Sequence, residues 1–305
     1  MASKELALKL HEQWNGKLET TAKASVKSRE DLALAYTPGV AEPCKVIAED
    51  PEAAYKYTMK ANTVAVISDG SAVLGLGNIG PLAAMPVMEG KCVLFKEFGN
   101  VNAVPICLDT QDTEELIKTI TYLAPNYGGI NLEDISAPRC FEIEERLKQT
   151  LNIPVFHDDQ HGTAIVVLAG IINALKVVNK KKEDCKVVIN GAGSAGVAIT
   201  KLLLTYGFPN VIMCDKAGII SKDSENLNWM QQKMTEVTNP NNETGSLADA
   251  LEGRATQITE DMKLAAALAI ASLVSDDELS DDNIMPQAFD PRVAEVVANA
   301  VKSHI

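Results

Sequence analysis

Two short apolar runs in this 305-residue chain each end in a pair of carboxylates: Glu133 and Asp134 follow residues 130–132, and Asp158 and Asp159 follow residues 153–156. Acidic pairs at the ends of neighbouring buried strands repel one another unless something positive sits between them. A donor set made only of oxygen suits a hard divalent ion such as Mg2+ or Mn2+, and not zinc. Metal-assisted chemistry is the leading reading, beside the plainer one of solvated strand ends or helix caps. His157 and His161 flank the second pair; an all-oxygen site needs no imidazole, so they read as packing at a helix entry.

A second chemical signal is a glycine string. Gly-x-Gly-x-x-Gly occurs twice, at Gly75, Gly77 and Gly80 and at Gly191, Gly193 and Gly196, and context separates the two. The second, which includes Ser194 and Ala195, follows directly on the apolar run 186–189 and opens a proline-free helical pattern over 197–207. It then reaches an acidic residue, Asp215, at the end of the next apolar run. Such glycines permit a tight turn, approach of a pyrophosphate to amides at a helix N-terminus, and close helix-to-strand packing. Gly191, Gly193, Ser194, Ala195, Gly196 and Asp215 are therefore predicted to bind a dinucleotide. The first string reads as a loop near the site, because its strand ends several residues earlier and Pro86 would interrupt a helix after it.

The elements that must position these residues follow from periodicity. Short β-branched runs at 63–67, 92–95, 104–108, 130–132 and 153–156 read as strands. Helical spacing appears at 113–123 and 138–147, the latter opening on a proline suited to a first turn. Helices are also predicted near the start of the chain, around Leu6, Leu8, Leu10 and Trp14, and after Gly162-Thr163. Alternating strand and helix predict an α/β fold with a largely parallel sheet: an N-terminal substrate and metal domain over 1–161, then a Rossmann-like dinucleotide-binding domain over 162–253. Helices predicted at 246–251, 259–273 and 291–301, the last with Asp290 as N-cap, leave residues 254–305 to pack back on the core. After Asp215 the strands of a second mononucleotide half are missing, so only half a cofactor domain is legible.

Composition bounds the function. An apolar content of 46% with 23% charged residues is that of a globular chain able to bury a sizeable core. A net charge of -13 without a basic patch argues against nucleic acid and anionic membranes, leaving small-molecule work. Six cysteines without a CxxC pair read as buried reduced thiols. With no leader pattern and no uninterrupted apolar stretch of about 20 residues, a cytoplasmic protein is expected.

Together these segments resemble the malic enzyme family, the small bacterial type. The likeness is carried by YTPGVA at 36–41, VISDGSAVLGLGNIG at 66–80, Gly90-Lys91, GGINLEDISAP at 128–138, FHDDQHGTA at 156–164 and GAGSAG at 191–196. It implies oxidative decarboxylation of (S)-malate to pyruvate and CO2, with NAD or NADP reduced and Mg2+ or Mn2+ required, by a homodimer. Carried over residue by residue, it implies Glu133, Asp134 and Asp159 as metal ligands and Asp158 beside them orienting water, lysine or substrate. It likewise implies Lys91 as general base and Tyr36 as the acid that protonates enolpyruvate; outside the motif either residue would be unremarkable. Asp215 can accept hydrogen bonds from a ribose diol and would repel a 2′-phosphate, so NAD is expected, softened by Lys216.

Two departures stand out. Larger members place an arginine before the glycine loop, where this chain reads Ser71-Ala72-Val73, so substrate anchoring must come from elsewhere. The family also carries on the order of 75 residues that complete the cofactor sheet, with no counterpart between Gly253 and Arg254. Either the protein contains that segment outside these 305 residues, or the chain carries an actual deletion; the first is expected, because an excised half-domain would compromise the fold. An intact mass near 32.7 kDa would mean deletion, a substantially larger one the presence of the segment. Loss of the nicotinamide half would still permit a metal-dependent oxaloacetate decarboxylase, or leave a non-catalytic binding protein.

Overall fold

A computed structural model describes residues 3–247, 267–268, 270–280, 283–287 and 290–302. The chain divides into two compact units, residues 1–135 with 143–156, and residues 136–142 with 157–305.

The first unit begins with four helices, α1 (Lys4–Trp14), α2 (Arg29–Ala35), α3 (Ala41–Glu49) and α4 (Ala54–Tyr57), none of which buries a residue. Its sheet contains β1 (Thr63–Ser68), β2 (Asn102–Cys107), β3 (Gly129–Leu132) and β4 (Val155–His157) in the order β2-β1-β3-β4. β1 pairs in parallel with both β2 and β3. The connections are α5 (Gly80–Gly99), α6 (Thr113–Leu123) and α7 (Arg139–Thr150). From β1 the chain moves first to one neighbour and then returns to the other, so the carboxyl ends of β1 and β3 flank the point where strand order reverses. That is where open parallel sheets bind ligands.

The strand expected at 92–95 is instead the second half of α5. A four-residue apolar run fits a buried strand or a buried helix equally well, and the helix wins because Ala84, Met88 and Cys92, spaced by four, share one buried face. Cys92 and Met88 pack with Val66 of β1 and with Phe95, Ala103 and Cys107. Pro86, expected to stop a helix here, lies inside α5. The carbonyl it deprives of a donor belongs to Leu82, which is 86% exposed, so water can satisfy it.

The second unit contains α8 (Asp158–Val177), β5 (Lys186–Asn190), α9 (Ser194–Tyr206), β6 (Asn210–Asp215), β7 (Gly218–Ile219), α10 (Trp229–Thr235) and α11 (Arg292–Lys302). β5 and β6 are parallel and β7 adds two antiparallel residues, the one strand after Asp215 among those described. α8 begins at Asp158, so Asp158 and Asp159 form its first turn, earlier than the expected start after Gly162. By length and composition α8 could cross a membrane. Its apolar side instead builds the core: Leu168 and Ile172 pack with Leu202, Leu203 and Phe208, and with Ala267, Ile270 and Ala271 from the C-terminal segment. Asn173 on α8 ties that segment down, its amide donating to the carbonyls of Ala271 (3.0 Å) and Ile284 (2.8 Å). Of the helix expected at 259–273, residues 267, 268, 270 and 271 are helical; the helix expected at 246–251, apart from residues 246 and 247, and the junction at Gly253 lie outside the described residues.

The cysteines follow the expected pattern in part. Cys92, Cys140 and Cys214 are buried, Cys107 and Cys185 partly so, and Cys44 on α3 is exposed. Burial, with Glu89 adding to it, pushes the Cys92 thiol up to about 12, and burial raises those of Cys107 and Cys214. Only the thiolate reacts, so a thiol titration at pH 8 is expected to read Cys44 first and Cys92 only after unfolding. Rapid modification of Cys92 in the native protein would contradict this packing.

Candidate active site

β3 delivers its acidic pair to the carboxyl edge of the first unit's sheet. The Glu133 amide still donates to the Ile67 carbonyl at 2.9 Å, extending the β1–β3 pairing one residue past the strand. The chain then turns at Asp134, whose φ of 54° lies in the left-handed region that aspartate tolerates better than most residues. Its carbonyl accepts from Ala72 at 2.9 Å, which closes the loop following β1 against the acidic pair. Both side chains are buried, Glu133 at 5% and Asp134 at 4% exposure. Buried carboxylates need compensating charge or hydrogen bonds.

Glu133 has both. Lys91, from the middle of α5, places Nζ 2.8 Å from Oε1, and the Asn131 amide donates to Oε2 at 2.8 Å. The structure thus joins Lys91 and Glu133, two residues that sequence reasoning assigned to different roles. Asn131, two residues earlier in β3 and so on the face that Glu133 continues just past the strand's end, was not anticipated. Asp69 at the end of β1 is fully buried and holds Ser71 through both the backbone amide (3.0 Å) and the hydroxyl (2.5 Å).

Tyr36 closes α2 and is 66% exposed. The turn after it is tight: its carbonyl accepts from Val40 at 2.7 Å, and the Gly39 amide donates to Ala33 at 2.7 Å.

In the second unit, Asp158 and Asp159 occupy the first turn of α8, where the helix dipole favours negative charge. A Cβ at Gly162 would lie 2.0 Å from Asp158 Oδ1, so the absence of a side chain there lets the Asp158 carboxylate fold back along its own helix. His157, fully buried, has Nδ1 3.9 Å from Asp159 Oδ2, and His161 is also buried. Among the described residues no three histidine, cysteine, aspartate or glutamate side chains gather as a metal site. Glu133 and Asp134 belong to the first unit and Asp158 and Asp159 to the second. The donors suit a hard divalent ion by chemistry, all being carboxylate oxygens and two of them on buried side chains.

The glycine string between β5 and α9 is tight in two places and open in a third. Gly191 has φ +120°, a conformation only glycine adopts readily. A Cβ at Gly196 would meet the Gly191 carbonyl at 1.8 Å, so α9 can approach β5 only without one. A Cβ at Gly193 would meet nothing within 4 Å, leaving open the space beside the N-terminus of α9. Ser194 starts that helix, with Ala195 next to it and the Cys140 thiol 3.6 Å from the serine hydroxyl. Asp215 ends β6 as an exposed carboxylate. Its Oδ1 accepts from the Lys216 amide and its Oδ2 from the Gln231 side-chain amide, each at 2.7 Å. Gln231 was missed: it lies in a stretch read only as polar and Asn-rich, although Asn228-x-x-Gln231 has the spacing of a helix capping box.

The family model for the malic enzyme N-terminal domain matches residues 15–148, and that for the malic enzyme NAD-binding domain matches residues 160–252. An NAD-dependent malic enzyme of Geobacillus stearothermophilus is 48% identical over 362 residues, covering 94% of this chain and 76% of the relative. A bifunctional malic/malolactic enzyme of Bacillus subtilis is 46% identical over 379 residues, covering 99% of this chain and 92% of the relative. Both alignments are longer than this chain, so each relative carries residues without a counterpart here. The crystal structure of an NAD-dependent malic enzyme from Thermotoga maritima superposes with a TM-score of 0.91 at 40% identity, covering 97% of this chain and 98% of that one. On these matches, the chain belongs to the malic enzyme family.

Proposed function

We propose that this protein is a malic enzyme, converting (S)-malate to pyruvate and CO2 while reducing NAD or NADP. The observation that carries the reading is the Lys91–Glu133 pair at the carboxyl edge of a parallel sheet, in a chain whose relatives over most of its length are malic enzymes. In this reaction a hydride leaves malate C2 as the hydroxyl loses a proton, CO2 departs from the resulting keto acid, and the enolpyruvate carbon gains a proton. Lys91 takes the hydroxyl proton. Since only the neutral amine accepts one, Lys91 must give up its pairing with Glu133 to do so. Tyr36 supplies the proton to carbon, and Asp158 orients water, lysine or substrate. Glu133, Asp134 and Asp159 would hold Mg2+ or Mn2+, which when bound supplies a Lewis acid for loss of CO2. Gly191, Gly193, Ser194, Ala195 and Gly196 cradle the dinucleotide phosphates, and Asp215 takes the adenosine ribose.

Purified protein is expected to form NADH and pyruvate from malate with Mn2+ and to stop when EDTA is added. No reduced cofactor from malate, with pyruvate still released from oxaloacetate without cofactor, would favour a simple decarboxylase, a reading that the relatives do not support. NAD is the preferred cofactor, and a higher kcat/KM with NADP would overturn that.

The catalytic and metal-binding part comprises residues 1–161 and the dinucleotide-binding part residues 162–253, followed by a C-terminal part, 254–305, of which Ala267, Ile270 and Ala271 pack on the core shared by α8 and α9. The protein acts in the cytoplasm, where buried thiols such as Cys92 and Cys214 stay reduced. It works as a homodimer. Helices α1 to α4 bury no residue yet expose Leu8, Trp14, Leu34 and Tyr36 at 51% or more, apolar surface of the kind that marks an interface. Light scattering should give twice the chain mass; a monomer would refute it.

A further inference from the structure

We infer that Gln231 is a positioning residue for dinucleotide selection, fixing the Asp215 carboxylate in the orientation that receives the adenosine ribose. The inference rests on the reading of Asp215 as the ribose acceptor and extends it to a residue outside the fingerprint.

The geometry leaves the Gln231 amide one orientation. It is the third residue of α10, only 7% exposed, and its Oε1 accepts from the Asn228 backbone amide at 3.0 Å. Asn228 reciprocates, its Oδ1 accepting from the amides of Met230 and Gln231, both at 3.0 Å. Because the oxygen is committed to a donor, the nitrogen must face the other way, where it donates to Asp215 Oδ2 at 2.7 Å. α10 is itself anchored, with Met230 and Met234 buried and Trp229 edge-on to Phe141 at 6.2 Å. A capping box that only stabilised a helix would have no use for a donor on its far side. Here that donor grips the one acidic side chain at the end of β6. With Oδ1 held by Lys216 and Oδ2 by Gln231, the carboxylate cannot rotate freely, and its remaining lone pairs stay presented to a diol while its charge stays where a 2′-phosphate would approach.

The substitution Gln231→Glu separates the two functions of this side chain. It keeps an acceptor for the Asn228 amide, the preferred arrangement in a capping box, and replaces the donor facing Asp215 with a second negative oxygen. The fold should survive, the KM for NAD should rise about tenfold, and kcat at saturating NAD should stay within twofold, since only the binding of a remote group is disturbed. Gln231→Met, which removes the donor without adding charge, should raise the same KM.

Three comparisons decide the matter. A KM for NAD within twofold of the parent in both variants, while Asp215→Ala raises it, overturns the role of Gln231 and leaves the ribose reading intact. An Asp215→Ala variant with unchanged KM for NAD shows that the ribose reading itself has failed. If Gln231→Glu raises KM as strongly in the Asp215→Ala background as in the parent, the effect does not run through Asp215 and the inference is lost; near-complete disappearance of the effect there is the expected result.

Discussion

Replacing Lys91 with alanine should lower kcat/KM for malate by about a thousandfold, the range spanned by loss of a positioned general base, and should also destabilise the first unit by about 2 kcal/mol, because the buried Glu133 carboxylate loses its 2.8 Å ion pair with Lys91. The two losses have different causes and can be separated with a second variant. Lys91→Arg restores a positive charge within reach of Glu133, so most of the lost stability should return. A guanidinium does not give up its proton in proteins, so activity should not. Thermal unfolding and steady-state kinetics on the same preparations read the two effects independently. Recovery of both stability and turnover in the arginine variant would show that Lys91 acts as a fixed charge and not as a base.

The pairing of Lys91 with Glu133 could not be read from the sequence, and the reason is general. Gly90-Lys91 is recognisable as a motif, but the run after it looked like a strand, and a strand would have carried Lys91 away from the carboxyl edge. Only the buried face of α5, with Met88 and Cys92 against Val66, puts Lys91 beside Glu133. Short apolar runs leave strand and helix unresolved until tertiary packing chooses. By contrast β1, β2, β3, β5, β6, α6 and α9 were legible to within a residue or two at most ends. Each has strong periodicity and clear punctuation by glycine, proline, asparagine or aspartate.

The candidate site divides along the same line. Residues identified by local chain geometry were visible in advance: the glycine fingerprint needs only a strand, a turn and a helix in succession. Asn131 and Gln231 were invisible because their meaning depends on partners, Glu133 and Asp215, that an asparagine or glutamine reaches only in three dimensions. Asp158 and Asp159 were read as ending a strand. They also begin α8, because β4 passes into that helix with no loop between them, a boundary that no breaker residue marks.

The fingerprint itself yields the other large effect, since two glycines three positions apart should fail in opposite ways. Gly196→Ala forces a Cβ to within 1.8 Å of the Gly191 carbonyl, a backbone atom that cannot swing aside as a side chain could. The helix must lift from β5, at a cost of about 3 kcal/mol or more, and the melting temperature should fall by about 6–12 °C with dinucleotide affinity lost alongside it. Gly193→Ala meets nothing within 4 Å, and its backbone, at φ −87° and ψ −162°, is open to any residue. Its stability should stay within about 0.5 kcal/mol of the parent. The new methyl group nevertheless occupies the space beside the amide end of α9 that a pyrophosphate needs, so the Kd for NADH should rise by about tenfold or more, equivalent to ~1.4 kcal/mol. Calorimetry for stability and NADH fluorescence for binding make the contrast direct. If Gly193→Ala binds NADH as tightly as the parent, the open space there is not the phosphate cradle. If Gly196→Ala melts like the parent, the close approach of α9 to Gly191 is not what holds this unit together.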